Sequence, residues 1–281
     1  MNNTNISGTS LDLIEKSRKA RLLILETAKR VSGAHIGGCF SIIDFLVTYY
    51  NFLCPDGVEE RNDFYQGKSK EIPTMIFSKG HCYLAQLAAL DTIYSRKYYT
   101  SNYMKVDSEF FGHPKRYKEN LHFPVSSGAL GQGVTFANGL ALANKLNKSQ
   151  QKVISIIGDG EMNEGSCMEA LLFAQQHELN HYFVIDNNNQ MSLGNTSKIL
   201  NLGKLKSRLK SVGMEGVEIN GHNFKLLKKE ILNLLTNNGQ NFLILNTVKG
   251  KGVSFMEGDY KWHHRRFKDN EYEEALYELK N

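Results

Sequence analysis

Apolar positions along the chain switch repeatedly between a helical and a strand-like spacing. Leu11 to Val31 places Leu13, Ile14, Leu22, Leu25 and Ala28 on one side of an amphipathic helix. Ser41 to Phe52 reads as a second, more apolar helix, Thr74 to Phe77 as a short strand, and Tyr83 to Tyr94 as a helix. The pattern then sharpens. It predicts helices over Val134–Leu146, Glu164–Glu178, Leu202–Val212 and Phe224–Leu235, and strands over Val153–Ile157, His181–Ile185, Val217–Ile219 and Asn241–Thr247. Strands alternating with helices predict an α/β fold with a mostly parallel sheet covered on both faces. Ligands of such sheets bind beyond the carboxyl ends of the strands. The loops of interest therefore follow Phe77, Ile157, Ile185, Ile219 and Thr247.

Composition narrows the class. With 281 residues, 41% hydrophobic and 22% charged, the chain can bury a sizeable core and is not a disordered tail. No stretch approaches the roughly 20 uninterrupted apolar residues of a membrane span. Residues 1–10 are polar, without the apolar core of a secretory signal, and are expected to be a flexible N-terminus. The net charge of +5 suits anionic ligands but is too weak to argue for nucleic acid. The basic run Lys204 to Lys210 reads as the exposed face of a helix. Cys39, Cys54, Cys82 and Cys167 form no C-x-x-C pair, so all four are expected as buried thiols in a reducing, cytoplasmic setting.

Three loops carry candidate chemistry. Gly158-Asp159-Gly160-Glu161 follows a strand and precedes a helix. Its glycines admit close approach of a ligand, the helix start offers N–H groups to a phosphate, and Asp159 can hold a hard cation. Taken alone, Gly-Asp-Gly is more often a turn. The next strand ends in Asp186-Asn187-Asn188-Asn189-Gln190-Met191. If the two strands are neighbours, the Asp159 carboxylate, the Asn189 amide oxygen and the Met191 carbonyl form the protein side of an octahedral magnesium site. Ser126 to Gly133, with three glycines before a helix, is neither a Rossmann fingerprint nor a P-loop, and reads equally as a plain helix-entry loop.

Together these loops resemble the transketolase family. Gly158-Asp159-Gly160 with Asn189 thirty residues later resembles the thiamine diphosphate fingerprint, and Ser127 to Gly133 is similar to the transketolase loop. Ser78-Lys79-Gly80-His81, Gly112-His113-Pro114 and Thr247 to Gly252 match further landmarks in the same order, so the resemblance runs from about Ala20 to Phe267. It implies a three-layer αβα thiamine diphosphate-binding fold over residues 1–281, with 253–281 as a C-terminal extension. It also implies Asp159, Asn189 and Met191 as ligands of Mg2+ (or Ca2+ or Mn2+). Gly128, Leu130, Gly131, Gly158, Gly160 and Glu161 would join them around the cofactor. Glu164 and Glu169 fall at acidic positions that link cofactor sites across a dimer; otherwise Glu164 is a first-turn helix charge and Glu169 a solvated one. His35, His81, His113 and His263 would line the substrate channel, where imidazole can hydrogen-bond or exchange protons with sugar hydroxyls. His264 is a second candidate beside His263, but the motif favours His263; His122, His177, His181, His222 and His264 are left without a role. The usual proline after the first histidine is here Ile36, which is expected to loosen that loop.

The resemblance also implies what must come from elsewhere. The glutamate that activates the cofactor belongs to a pyrimidine-binding domain, and the chain ends about 30 residues after Gly252. The expectation is half an active site. It would be completed by a C-terminal transketolase-like subunit, in a complex with two copies of each chain, with an apolar face around Ala129 to Ala143 as the contact. The activity implied is transfer of a two-carbon ketol unit from a ketose, free or phosphorylated, to an aldose acceptor, with Asp91 to Lys118 as a place to seek sugar specificity. The alpha chain of a 2-oxo-acid dehydrogenase shares the Gly-Asp-Gly and Asn-rich loops but would not be expected to combine them with the other three motifs. Deoxyxylulose-phosphate synthase normally keeps its domains on one chain. A non-catalytic subunit is the alternative of a different class.

Overall fold

The computed structural model describes residues 9–53, 73–116, 122–201, 203–236, 239–268 and 270–281. The expectations for residues 1–8, Cys54, 117–118 and Leu202 lie outside the described residues. Five parallel strands run β1 (Thr74–Phe77), β2 (Val153–Gly158), β3 (His181–Asn187), β4 (Gly216–Asn220) and β5 (Phe242–Asn246), ordered β1-β2-β3-β5-β4 across the sheet. All carboxyl ends therefore share one edge. β2 and β3 are neighbours, pairing Gly158 with Asp186, so the two loops expected to form the metal site do emerge side by side.

The alternation along each strand builds two cores. Ile154, Ile156, Val184, Leu243 and Leu245 face one helical layer, and Val153, Ile157, Ile185, Phe242 and Ile244 the other. The first layer holds α1 (Ser10–Arg30), α2 (Ile36–Leu53), α3 (Tyr83–Ile93), the short α4 (Tyr99–Asn102), α9 (Phe224–Thr236) and α10 (Glu271–Lys280). The second holds α5 (Gln132–Leu146), α6 (Gly165–Gln176) and α8 (Leu205–Ser211); α7 (Thr196–Ile199) is a single turn after β3. Each fully buried aliphatic side chain contributes about 1.5–3 kcal/mol. The three-layer α/β architecture with a parallel sheet is the expected one.

Four differences from the apolar pattern have physical causes. α1 starts at Ser10, inside the stretch expected to be flexible, because the Thr9 hydroxyl caps it by accepting from the Asp12 amide at 3.2 Å. α2 begins at Ile36, five residues before the predicted start. Gly37 and Gly38 are poor helix formers, but contacts on both sides override that: a Cβ on Gly38 would stand 2.5 Å from the Cys82 sulfur. Ile36, which stands in place of the family's usual proline and was expected to loosen the loop, is instead buried and opens this helix. α2 is long and apolar enough by composition to cross a membrane, yet 89% of it is buried inside the molecule as a core helix. Finally, the described residues of the expected C-terminal extension are woven into the core through Val253, Met256 and Trp262, and end in α10, which packs Ala275 and Leu279 inward. Arg18 of α1 donates to the Leu279 carbonyl at 2.7 Å.

Candidate active site

Asp159 sits at the carboxyl end of β2, 2% exposed. Its amide donates to the Asp186 carbonyl at 3.1 Å, holding the turn against β3. Thr196 links this turn to the next loop. Its hydroxyl donates to Asp159 Oδ2 at 2.7 Å, and its amide donates to the Asn189 carbonyl at 3.0 Å. Asn189 adopts the left-handed region at φ +59°, which asparagine tolerates better than most residues. Met191 passes directly over Gly160, where a Cβ would meet its side chain at 3.0 Å. Burial pushes the Asp159 carboxyl up to about 6, with the nearby Asp186 adding to it. A carboxylate so disfavoured by its surroundings gains most from a cation. Carboxylate, amide and carbonyl are hard oxygen donors, so these residues fit magnesium, manganese or calcium, with the remaining positions left to a diphosphate and water.

Glu161, expected among the cofactor contacts, is fully engaged within the chain. Its Oε1 accepts the Ser78 hydroxyl at 2.5 Å and the Gly131 amide at 2.9 Å, and its Oε2 accepts the Gly158 amide at 3.1 Å. It ties three site loops together. Gly131, at φ +76°, turns the chain into α5, and a Cβ there would fall 2.1 Å from the Ser166 hydroxyl. Gly128 packs on the His113 ring, and Ser127 donates to the Phe77 carbonyl at 2.5 Å. Leu130 is 39% exposed beside these glycines.

Beneath the loops lies a hub that sequence reading did not single out. The Asp186 carboxylate is wholly buried and accepts from Lys79, Thr247 and, at 2.5 Å, Ser41. Burial opposes the Lys79 charge, but Asp186 more than offsets it and keeps the ammonium protonated. Lys249 is buried as well. Its Nζ donates to the Met191 carbonyl at 3.2 Å and lies 3.1 Å from His263 Nδ1. Burial, with Lys79 adding to it, pulls Lys249 down to about 8. Both lysines stood inside recognised motifs; their burial beside Asp186 and Met191 was not legible from spacing.

The four expected histidines converge. The ring of His35 lies 5.2 Å from His81, 6.1 Å from His113 and 5.2 Å from His263, and His81 lies 5.2 Å from His263. His264, left without a role above, belongs to the same cluster at 4.5 Å from His35. Burial lowers His35 to about 3 and His263 to about 4, and lowers His113 too; His81 adds to the effect on His35 and His113, and Lys249 to that on His263. Neutral imidazoles of this kind can donate and accept hydrogen bonds at once, as pairing with sugar hydroxyls requires. His181 is structural: its ring bridges Asn138 at 2.7 Å and Ser155 at 2.9 Å inside the core.

Glu164 and Glu169 are both exposed. Glu164 precedes α6 without a side-chain capping bond. Glu169 lines a shallow cleft of about 330 Å3 between α5 and α6, with Thr135, Leu142 and Phe173. Phe136, Leu172 and Phe173 on these helices are 48%, 51% and 40% exposed, an unusual amount of apolar surface for two adjacent helices.

The family model for the thiamine diphosphate-binding domain of transketolase matches residues 15–279. Among curated relatives, a subunit of the apulose-4-phosphate transketolase of Actinobacillus succinogenes is 33% identical, the match covering 97% of this chain and 98% of that one. The corresponding protein of Phocaeicola vulgatus is 31% identical over 94% of this chain and 92% of its own. A 6-deoxy-6-sulfo-D-fructose transketolase subunit of Clostridium sp. is 28% identical, covering 98% of both chains. Among solved structures, transketolase from Campylobacter jejuni superposes with a TM-score of 0.79 at 24% identity; it covers 99% of this chain, which spans only 43% of that longer one. That likeness establishes the fold, and the family match with the curated relatives establishes the lineage: the chain belongs to the transketolase family, as its thiamine diphosphate-binding domain.

Proposed function

We propose that the chain is the diphosphate-binding subunit of a two-subunit transketolase, a single such domain that transfers a two-carbon ketol unit from a ketose to an aldose once a C-terminal subunit completes the site. The observation that carries this reading is the convergence of the histidine cluster and the Asp159–Asn189–Met191 loops at one edge of the sheet. Full-length similarity to proteins named as transketolase subunits supports the division into two chains. Two of those names specify a sugar phosphate and one a sulfo sugar, so an anionic ketose is the substrate class favoured here.

Thiamine diphosphate, when bound, supplies an electron sink for breaking a ketose carbon–carbon bond. The protein's part is division of labour. Asp159, Asn189 and the Met191 carbonyl hold the divalent cation, and Gly158 and Gly160 let the diphosphate approach. Gly128, Leu130 and Gly131 shape the wall beside it. Lys249 places positive charge next to the Met191 carbonyl, opposite in sign to the diphosphate. His35, His81, His113 and His263, with His264 beside them, orient sugar hydroxyls and relay their protons. Glu164 and Glu169, exposed on and before α6, reach toward the partner subunit. The apolar surface of α5 and α6 is the contact for that partner, assembled as two copies of each chain. The three described cysteines are buried free thiols, which fits a reducing cytoplasm.

The test is calorimetric titration of magnesium and thiamine diphosphate into the assembled pair carrying Asp159→Ala. Loss of more than about 100-fold in affinity is expected, beyond the 10–100-fold typical of a supporting outer contact. Unchanged affinity would remove Asp159 from the site and overturn the reading.

A further inference from the structure

His222 is a loop histidine after β4 that no cofactor or substrate assignment uses, yet both of its ring nitrogens are committed. Nδ1 lies 2.8 Å from Asp44 Oδ2 in α2. The other oxygen of Asp44 lies 2.8 Å from Arg21 in α1, whose second nitrogen donates to the Phe40 carbonyl at 3.1 Å. Burial would raise Asp44, but Arg21 and His222 outweigh it and hold the carboxyl down at about 2. On the far side of the ring, Nε2 accepts the Val248 amide at 2.8 Å. An amide N–H can only donate, so Nε2 carries no proton and Nδ1 carries the ring hydrogen toward Asp44. The tautomer is fixed by its two neighbours.

Val248 immediately precedes Lys249, whose ammonium meets the Met191 carbonyl and His263. We infer that His222 is a positioning residue of the diphosphate site: anchored by Asp44 and Arg21 in the helical layer, it grips the Val248 amide and so sets where Lys249 stands against the cation loop. The inference rests on the thiamine diphosphate reading above. It joins two parts of the molecule that the sequence leaves unconnected, the α1–α2 pair and the loop after β5.

Two near-isosteres separate positioning from simple packing. The asparagine amide reaches the depth of Nδ1 and can still donate to Asp44, whereas the glutamine carbonyl oxygen reaches the depth of Nε2 and can still accept from Val248. Both lose ring packing alike. The experiment compares His222→Asn and His222→Gln in the full chain with its partner subunit. It measures deuterium exchange of the amides over residues 247–250 without ligand, and magnesium–thiamine diphosphate affinity by calorimetry. Expected are exchange at Val248 faster by about tenfold or more in His222→Asn, with affinity weakened about tenfold, and both near wild type in His222→Gln. Equal effects of the two substitutions, or unaltered Val248 exchange in His222→Asn, would overturn the proposal. Failure of the wild-type complex to bind the cofactor would instead overturn the site reading on which the proposal rests, and would be evident before any variant is compared.

Discussion

At the scale of single residues, the site is governed by burial of groups that water would otherwise charge. His35 and His263 are held at about 3 and 4, against an ordinary value of 6.5. In the unfolded chain both take up protons as pH falls through 6.5; in the folded chain they do not until far lower. The unfolded state thus binds more protons between those limits, and folding stability falls with acid over that window. Urea unfolding at pH 7.5, 6 and 5 is expected to show a progressive loss on the order of a few kcal/mol. His35→Asn, which cannot titrate there, is expected to flatten the slope, and an unchanged slope would contradict the assignment. The candidacy of these histidines was legible through the family resemblance, His35 between the glycines of Gly33-Ala34-His35-Ile36-Gly37 and His263 directly after Trp262. Their shared environment was not. His264 joined the cluster, and His222 acquired two partners, through contacts between residues up to 229 and 178 positions apart that no local spacing encodes.

Among the elements, α2 is the instructive case. Its apolar run is plain from Ser41 onward, but the glycines that precede it carry no apolar spacing and glycine disfavours helix, so the start at Ile36 is hidden. They are helical because the backbone must pass close to other groups: Gly37 under the Trp262 carbonyl, Gly38 under the Cys82 sulfur. Gly38→Ala should therefore destabilise the fold by about 1–3 kcal/mol, as overpacking does, despite alanine's better helix propensity. Adding Cys82→Ala should recover most of that loss in a double-mutant cycle, since the clash is with the sulfur; additive losses would refute the contact as the cause. The short turns α4 and α7 and the C-terminal α10 were missed as well. The apolar spacing of the two four-residue turns is too brief to register, whereas Tyr272, Ala275, Leu276 and Leu279 of α10 do stand at helical spacing and pack on the core, a signal present in the sequence and passed over. The central strands of the parallel sheet, by contrast, were legible because strands buried on both faces are nearly continuous apolar runs, while the edge strand β4 showed as an alternation, Val217-Glu218-Ile219.

For the molecule as a whole, the architecture brings the Asp159 and Asn189–Met191 loops to the carboxyl edge of the sheet beside the histidine cluster, and among the described residues leaves Phe136, Leu172 and Phe173 of the α5–α6 surface exposed. Phe173→Glu on that surface is predicted to abolish association with the partner subunit in light scattering. The isolated chain's unfolding midpoint should move little, because substitutions at exposed positions typically stay within about 0.5 kcal/mol. Association retained in full would place the contact elsewhere. The central claim is that this chain contributes one half of a transketolase site, and reconstitution tests it most directly. Ketol transfer should be measured for the chain alone, for its C-terminal partner alone, and for the mixture, each with magnesium, thiamine diphosphate, and phosphorylated ketose and aldose substrates. Turnover confined to the mixture is the predicted result; turnover by this chain alone would contradict it.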